Sequence, residues 1–144
     1  FLIEFNVRMG DPECQTILPT LKTDLMDIFL SCCDGTLNLT NINFSKTKSV
    51  CVVLCSKGYP TEFENNIEIK DLEKLKLLKN QNIFHAGTLK TKNGFISNGG
   101  RVLNFVSTSD DFLRCRDETI NLIKKLNWKN GYFRRDIGYK VIKI

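Results

Sequence analysis

Apolar and polar residues alternate along Phe1-Leu2-Ile3-Glu4-Phe5-Asn6-Val7-Arg8, with Glu4, Asn6 and Arg8 set against Ile3, Phe5 and Val7. A period of two sends successive side chains to opposite faces of a strand, so the pattern predicts a β-strand with three polar groups on one face. Met9-Gly10-Asp11-Pro12 follows as a breaker and turn. From about Cys14 the apolar positions Ile17, Leu18, Leu21, Leu25, Ile28, Phe29 and Cys32 recur at spacings of three and four, which predicts an amphipathic helix. Pro19 divides an irregular first turn from the helix proper, because a ring without an N–H is tolerated only near a helix start. Asp34-Gly35 closes the helix.

Residues 36–48 are polar and read as a linker, with a domain boundary near residue 45. Val50 to Cys55 is a continuous apolar run of strand length, typical of a strand buried on both faces. Leucines 72, 75, 77 and 78 give a short, weak helix signal, and Ile83 to Gly87 resumes as strand. Lys92-Asn93-Gly94 carries the Asn-Gly pair favoured in a type I′ hairpin turn. Arg101 to Ser107 is the next strand. Thr108 or Ser109 is placed to cap a helix with the apolar stripe Phe112, Cys115, Thr119, Ile120, Ile123 and Leu126. The tail from Tyr132 reads as strand, and Arg134-Arg135-Asp136 in its first half reads as an internal ion pair. Helix, several short strands, helix and strand in that order predict an α+β fold.

At 144 residues with 42% apolar content the chain is long enough to bury a core. The net charge of +5 comes from 21 basic and 16 acidic residues that are interspersed, the pattern of a solvated mixed surface. No nucleic-acid partner is expected from it. Six cysteines fall mostly inside apolar runs, no Cys-x-x-Cys pair exists and His85 is the single histidine, which argues for a reduced, cytoplasmic setting and against a zinc site. No run of 18 apolar residues indicates a membrane span. The chain opens on Phe1 in a strand-like run, as though cut from a longer polypeptide.

Chemically, the Glu4/Asn6/Arg8 face stands out. A hard divalent cation takes oxygen ligands, and a carboxylate and an amide two residues apart on a strand present two of them side by side. Arg8, one step further, can reach a phosphate or carboxylate bidentately. Asn98-Gly99-Gly100-Arg101 is either a tight turn or an anion site built from backbone N–H groups beside Arg101. His85, among apolar residues, is expected to be buried and hydrogen-bonded.

The segment Glu-Phe-Asn-Val-Arg-Met-Gly-Asp-Pro-Glu at 4–13 resembles the Glu-x-Asn-x-Arg-Phe-Gly-Asp-Pro-Glu segment of the phosphoribosylamine–glycine ligase family, an ATP-grasp family of purine biosynthesis. Five further segments resemble it in register: 21–25, 57–60, 84–88, 98–103 and 134–139. Met9 in place of Phe and Thr61-Glu62-Phe63 in place of a glycine-containing stretch are departures that leave the polar face intact. The resemblance implies that residues 1–45 finish an ATP-grasp domain and that 46–144 form a small α+β closing domain of barrel-like sandwich form. It also implies that Glu4 and Asn6 hold Mg²⁺ or Mn²⁺ on ATP and that Arg8 is catalytic, meeting the transferring phosphoryl group or the glycyl carboxylate. Asp11, Gly99, Gly100 and Arg101 are, with Arg8, the candidates to bind the substrates glycine and 5-phosphoribosylamine. The amino-terminal domains of such an enzyme would precede Phe1, so the fragment alone is expected to be inactive. The rivals are another ATP-grasp carboxylate ligase or carboxylase, and a non-catalytic binding module that keeps the fold. With its first strand severed from its sheet neighbours, residues 1–12 are expected to be the least stable region.

Overall fold

The computed structural model describes residues 1–3 and 5–142. Among these residues, two antiparallel sheets and three α-helices make up the fold. The first elements are α1 (Glu13–Ile17), a 3₁₀ turn at Leu18–Thr20 and α2 (Leu25–Cys33). β1 (Lys48–Ser56), β2 (Glu68–Ile69), β3 (Gln81–His85), β4 (Thr88–Thr91), β5 (Gly94–Ser97) and β6 (Arg101–Ser109) follow, then α3 (Phe112–Leu126) and β7 (Gly131–Tyr132).

One sheet has the order β3-β6-β1-β7 and the other β2-β5-β4. Both are open, so the expected barrel-like closure is not formed. The central pair runs from Lys48 opposite Ser109 to Leu54 opposite Leu103, with an irregularity before Cys55 meets Arg101. Strand residues alternate between faces, so Val50, Val52, Leu54, Leu103 and Phe105 share one side. There they meet Cys115, Leu122, Ile123 and Leu126 of α3, which closes the core. Phe105 and Leu103 are wholly buried, each burial stabilising the fold by roughly 1.5–3 kcal/mol.

Helix α3 begins at Asp111, whose carboxylate accepts from Arg114 N at 2.9 Å. Thr108 and Ser109 do not cap it, because β6 extends through Ser109. Asn127 ends it in the left-handed conformation with φ 48°, and Lys124 and Lys125 sit favourably at the negative end of its dipole. The β4–β5 turn also differs from expectation. Lys92 and Asn93 are its central residues, neither has positive φ, and Gly94 takes φ 121° one residue later, at the start of β5. A type I′ turn needs positive φ at both central residues.

The long helix expected from Cys14 to Cys32 is broken at residues 21–24, and Asp24 caps α2 through Met26 N at 2.7 Å. Leu21 instead bridges to Phe44. The tail is strand only at Gly131–Tyr132, where it pairs with β1, and turns thereafter. Its Arg134 and Asp136 form the expected ion pair, Nη2 to Oδ2 at 2.7 Å.

The predicted strand at 1–8 is not formed among the described residues; Phe1 to Ile3 and Phe5 to Arg8 are exposed and pair with no strand. Alternation prepares a segment for a sheet, but a strand exists only where a neighbour completes its ladder. Glu4 lies outside the described residues.

Candidate functional site

The segment carrying the predicted site runs into a turn that is defined hydrogen bond by hydrogen bond. Gly10 N donates to Glu13 Oε2 at 2.9 Å, and Cys14 N donates to Gly10 O at 3.0 Å. A Cβ on Gly10 would stand 2.5 Å from that carboxylate oxygen, so any other residue here would displace the Glu13 carboxylate from the bond. Thr16 closes on Pro12 O through both its N–H, at 3.2 Å, and its hydroxyl, at 2.8 Å.

Asp11 and Arg101, ninety positions apart, come together. Arg101 Nη2 lies 3.4 Å from Asp11 Oδ2, and Nη1 donates to the backbone Asp11 O at 3.2 Å. Asp11 Oδ1 also accepts from Gln15 Nε2 at 2.9 Å and, at 3.5 Å, from Asn104 Nδ2. Asn104 is fully buried, and the amide oxygens of both Asn104 and Gln15 are buried without a protein partner.

Asn6 and Arg8 meet, although the strand predicted to carry them on one face is not formed among the described residues: Arg8 Nη1 donates to Asn6 Oδ1 and also to Met9 O at 3.2 Å. The Gly99-Gly100 turn lies immediately before Arg101, and its carbonyls are taken by the end of β1. Ser56 Oγ donates to Gly99 O at 2.9 Å, and Ser56 N donates to Gly100 O at 2.8 Å. A Cβ on Gly100 would come within 2.1 Å of the Tyr59 ring. Close approach therefore accounts for this glycine.

Beside this cluster the thiols are quiet. Burial pushes the Cys51 thiol up from 9.0 to about 12, with Thr16 opposing and Asp11 reinforcing the change. Burial likewise raises Cys55, against the lowering effect of Arg101. Neither is poised as a nucleophile, which needs a depressed value. His85 is exposed, against expectation; it is hydrogen-bonded, with Nδ1 2.8 Å from Thr88 Oγ1, and its ring packs 4.6 Å from that of Phe95. A cavity of about 580 Å³ lined by Lys57, Glu62, Phe63, Trp128 and Lys129 holds none of the predicted site residues.

Comparison with known proteins settles the family. Residues 49–140 match the model of the phosphoribosylglycinamide synthetase C domain. The chain belongs to the phosphoribosylglycinamide synthetase family. It is 38% identical over 144 residues to the chloroplastic phosphoribosylamine–glycine ligase of Arabidopsis thaliana, covering 99% of this chain and 27% of that protein. It is 38% identical over 139 residues to phosphoribosylamine–glycine ligase of Fusobacterium nucleatum, covering 96% of this chain and 33% of the relative. The crystal structure of phosphoribosylamine–glycine ligase from Thermotoga maritima superposes with a TM-score of 0.69 at 27% identity, over 94% of this chain and 33% of that one. The chain thus spans about a third of the length of the relatives it matches.

Ahead of this synthetase-family domain, the Asn6 amide oxygen is a hard donor of the kind Mg²⁺ takes, which fits the implied metal. Here it accepts from Arg8, and an amide oxygen carries two lone pairs, so that bond alone does not bar a cation. No group of three or more His, Cys, Asp or Glu side chains among the described residues is placed to hold a metal. Nor is any helix among them long and apolar enough to cross a membrane. Sequence reasoning missed Gln15 and Asn104. The signal for Asn104 was present: an amide inside Val102-Leu103-Asn104-Phe105-Val106 is a buried polar group that asks for a partner.

Proposed function

We propose that this chain is the carboxy-terminal portion of a phosphoribosylamine–glycine ligase, which joins glycine to 5-phosphoribosylamine at the expense of ATP. ATP phosphorylates the glycine carboxylate, and the amine attacks the resulting acyl phosphate, giving glycinamide ribonucleotide, ADP and phosphate. The observation that carries this reading is the synthetase-family domain at 49–140, attached to a segment in which Asn6 and Arg8 lie side by side. The names of the relatives support the substrates.

In this reading Glu4 and Asn6 supply oxygen ligands, and Arg8 neutralises the carboxylate or the transferring phosphoryl group. Mg²⁺ or Mn²⁺, when bound, spreads the charge that develops on the phosphoryl oxygens. Asp11, Gly99, Gly100 and Arg101 lie on the substrate side, supported by the Asp11–Arg101 contact at the start of β6 and by the Gly99-Gly100 turn that leads into it. The chain divides near residue 45 between the end of an ATP-grasp domain and the closing domain. The family match beginning at 49 supports that division. So do the exposed apolar side chains of α2, which the preceding domains would cover. A cytoplasmic setting is supported by the six cysteines, all of which are free.

The test is made on a full-length enzyme containing this chain. Ligation should depend on glycine and on Mg²⁺, and Asn6→Ala should lower the rate by roughly 100-fold. A rate within a few-fold of wild type would remove Asn6 from the metal. Dependence on bicarbonate or formate in place of glycine would favour a different ATP-grasp enzyme, and absence of any ATP-dependent ligation would favour a binding module.

A further inference from the structure

We propose that Arg101 and Asn104 are positioning residues: acting through Asp11, they fix the Gly10–Glu13 turn, and with it the Asn6/Arg8 segment, onto β6. The activity arm of this inference rests on the function proposed above; the structural arm does not.

The segment 5–9 forms no strand among the described residues and runs directly into the turn that follows. That turn is internally rigid, through the Gly10–Glu13 and Cys14–Gly10 hydrogen bonds. Its polar tie to the sheet is Asp11. Arg101 grips this residue twice, with one nitrogen on the backbone carbonyl at 3.2 Å and the other 3.4 Å from the carboxylate. Backbone and side chain are thereby located together, which a single contact would not achieve.

Asn104 is the more telling residue. It is 0% exposed in the middle of an apolar strand, and its amide oxygen has no protein partner. A buried amide with an orphaned acceptor destabilises a fold relative to an apolar side chain of similar size. Its Nδ2 points to the Asp11 carboxylate, where Gln15 also donates. Placing Asp11 explains an amide that packing alone would replace with leucine. Neither Arg101 nor Asn104 needs to touch substrate for this role, since groups that orient the residues of a reaction centre act at one remove.

The structural test is amide hydrogen exchange on this chain, comparing peptides that cover 10–17 and 50–55. Arg101→Gln and Asn104→Leu should each speed exchange at 10–17 by about tenfold and leave 50–55 unchanged. Asp11→Asn should do the same, and the Asp11→Asn/Arg101→Gln double variant should exceed neither single by more than about twofold, because all act through one contact set. Unchanged exchange at 10–17, or an equal rise at 50–55, overturns the proposal. In a full-length enzyme the same variants should lower kcat by about tenfold with KM for glycine within about twofold, and Arg101→Lys should restore part of the loss. A rise in KM confined to the Arg101 variants, additive with Asp11→Asn, would make Arg101 a substrate contact and overturn the positioning role. Wild-type enzyme that fails to ligate glycine would refute the proposed function while the exchange result still decides this inference.

Discussion

Residues 1–45 and 46–142 have similar apolar content along their predicted elements and opposite fates. Phe105 on β6 is wholly buried, whereas Phe29 on α2 is 53% exposed and Met26 beside it 59%. Helix α3 buries five side chains and α2 none. Both helices are amphipathic and capped at their first turns by aspartate, at Asp111 and Asp24. Local signals therefore form a helix in either region, but Met26, Phe29 and Leu30 of α2 stay exposed, in keeping with the division proposed near residue 45. Among the described residues, α1 and its 3₁₀ turn pack on β1 and, for α1, also on β6, with Asp11 as one polar link.

Substitutions at the two phenylalanines bracket that contrast. Phe105→Ala should cost roughly 3–5 kcal/mol, enough to unfold a domain of ordinary stability, as read from the denaturant midpoint. Gly100→Ala, in the closing domain, should cost about 1–3 kcal/mol by pushing the Tyr59 ring aside. Glu118→Gln should cost about 1 kcal/mol. Its carboxyl is held below the usual range by the Arg114 hydrogen bond, opposed by burial and helped by Asn80. A depressed folded value adds stability above the unfolded carboxyl range and loses it as pH falls through the folded value, so the difference between variant and wild type should vanish at acid pH. Phe29→Ala should change stability of this chain by less than about 0.5 kcal/mol, yet cost about 2 kcal/mol or more in a full-length enzyme. Equal small losses in both would mean that nothing covers α2.

The thiols separate the regions by reactivity. Cys32 and Cys33 are exposed on α2, and alkylation at pH 8 should label them while sparing Cys51. The raised Cys51 value has a sign of its own: between 9.0 and about 12 the unfolded chain loses this proton and the folded chain keeps it, so stability should fall as pH climbs through that window. A urea midpoint that holds constant from neutrality to pH 11 would show that the thiol is not sheltered.

Much of the fold was legible. The unbroken run Val50 to Cys55 became the central strand β1, and the three-and-four spacing of Cys115, Thr119, Ile123 and Leu126 became the buried stripe of α3. Leu122 joined that stripe unannounced. Errors arose where a competing neighbour decided the outcome. Thr108 and Ser109 have capping chemistry, but pairing with β1 holds both in β6, so Asp111 caps instead. The long helix from Cys14 broke because residues 21–23 bond across to the segment at 41–44, with Lys22 N on Asn43 O at 2.9 Å. His85 was expected inside because its neighbours are apolar, but β3 is an edge strand and leaves it at the surface.

By itself the sequence determined the local chemistry: the turn at Gly10-Asp11-Pro12-Glu13, the buried stripe of α3, and the apolar runs that become β1 and β6. Those follow from spacings of two, three and four residues, which short-range geometry enforces. Only the tertiary structure decided that Asp11 meets Arg101 and Asn104 across some ninety residues, that Gly100 yields its side-chain space to Tyr59, and that the sheets stay open. Such contacts depend on strand register, and register is set by the fit of whole faces, which no short stretch of sequence contains.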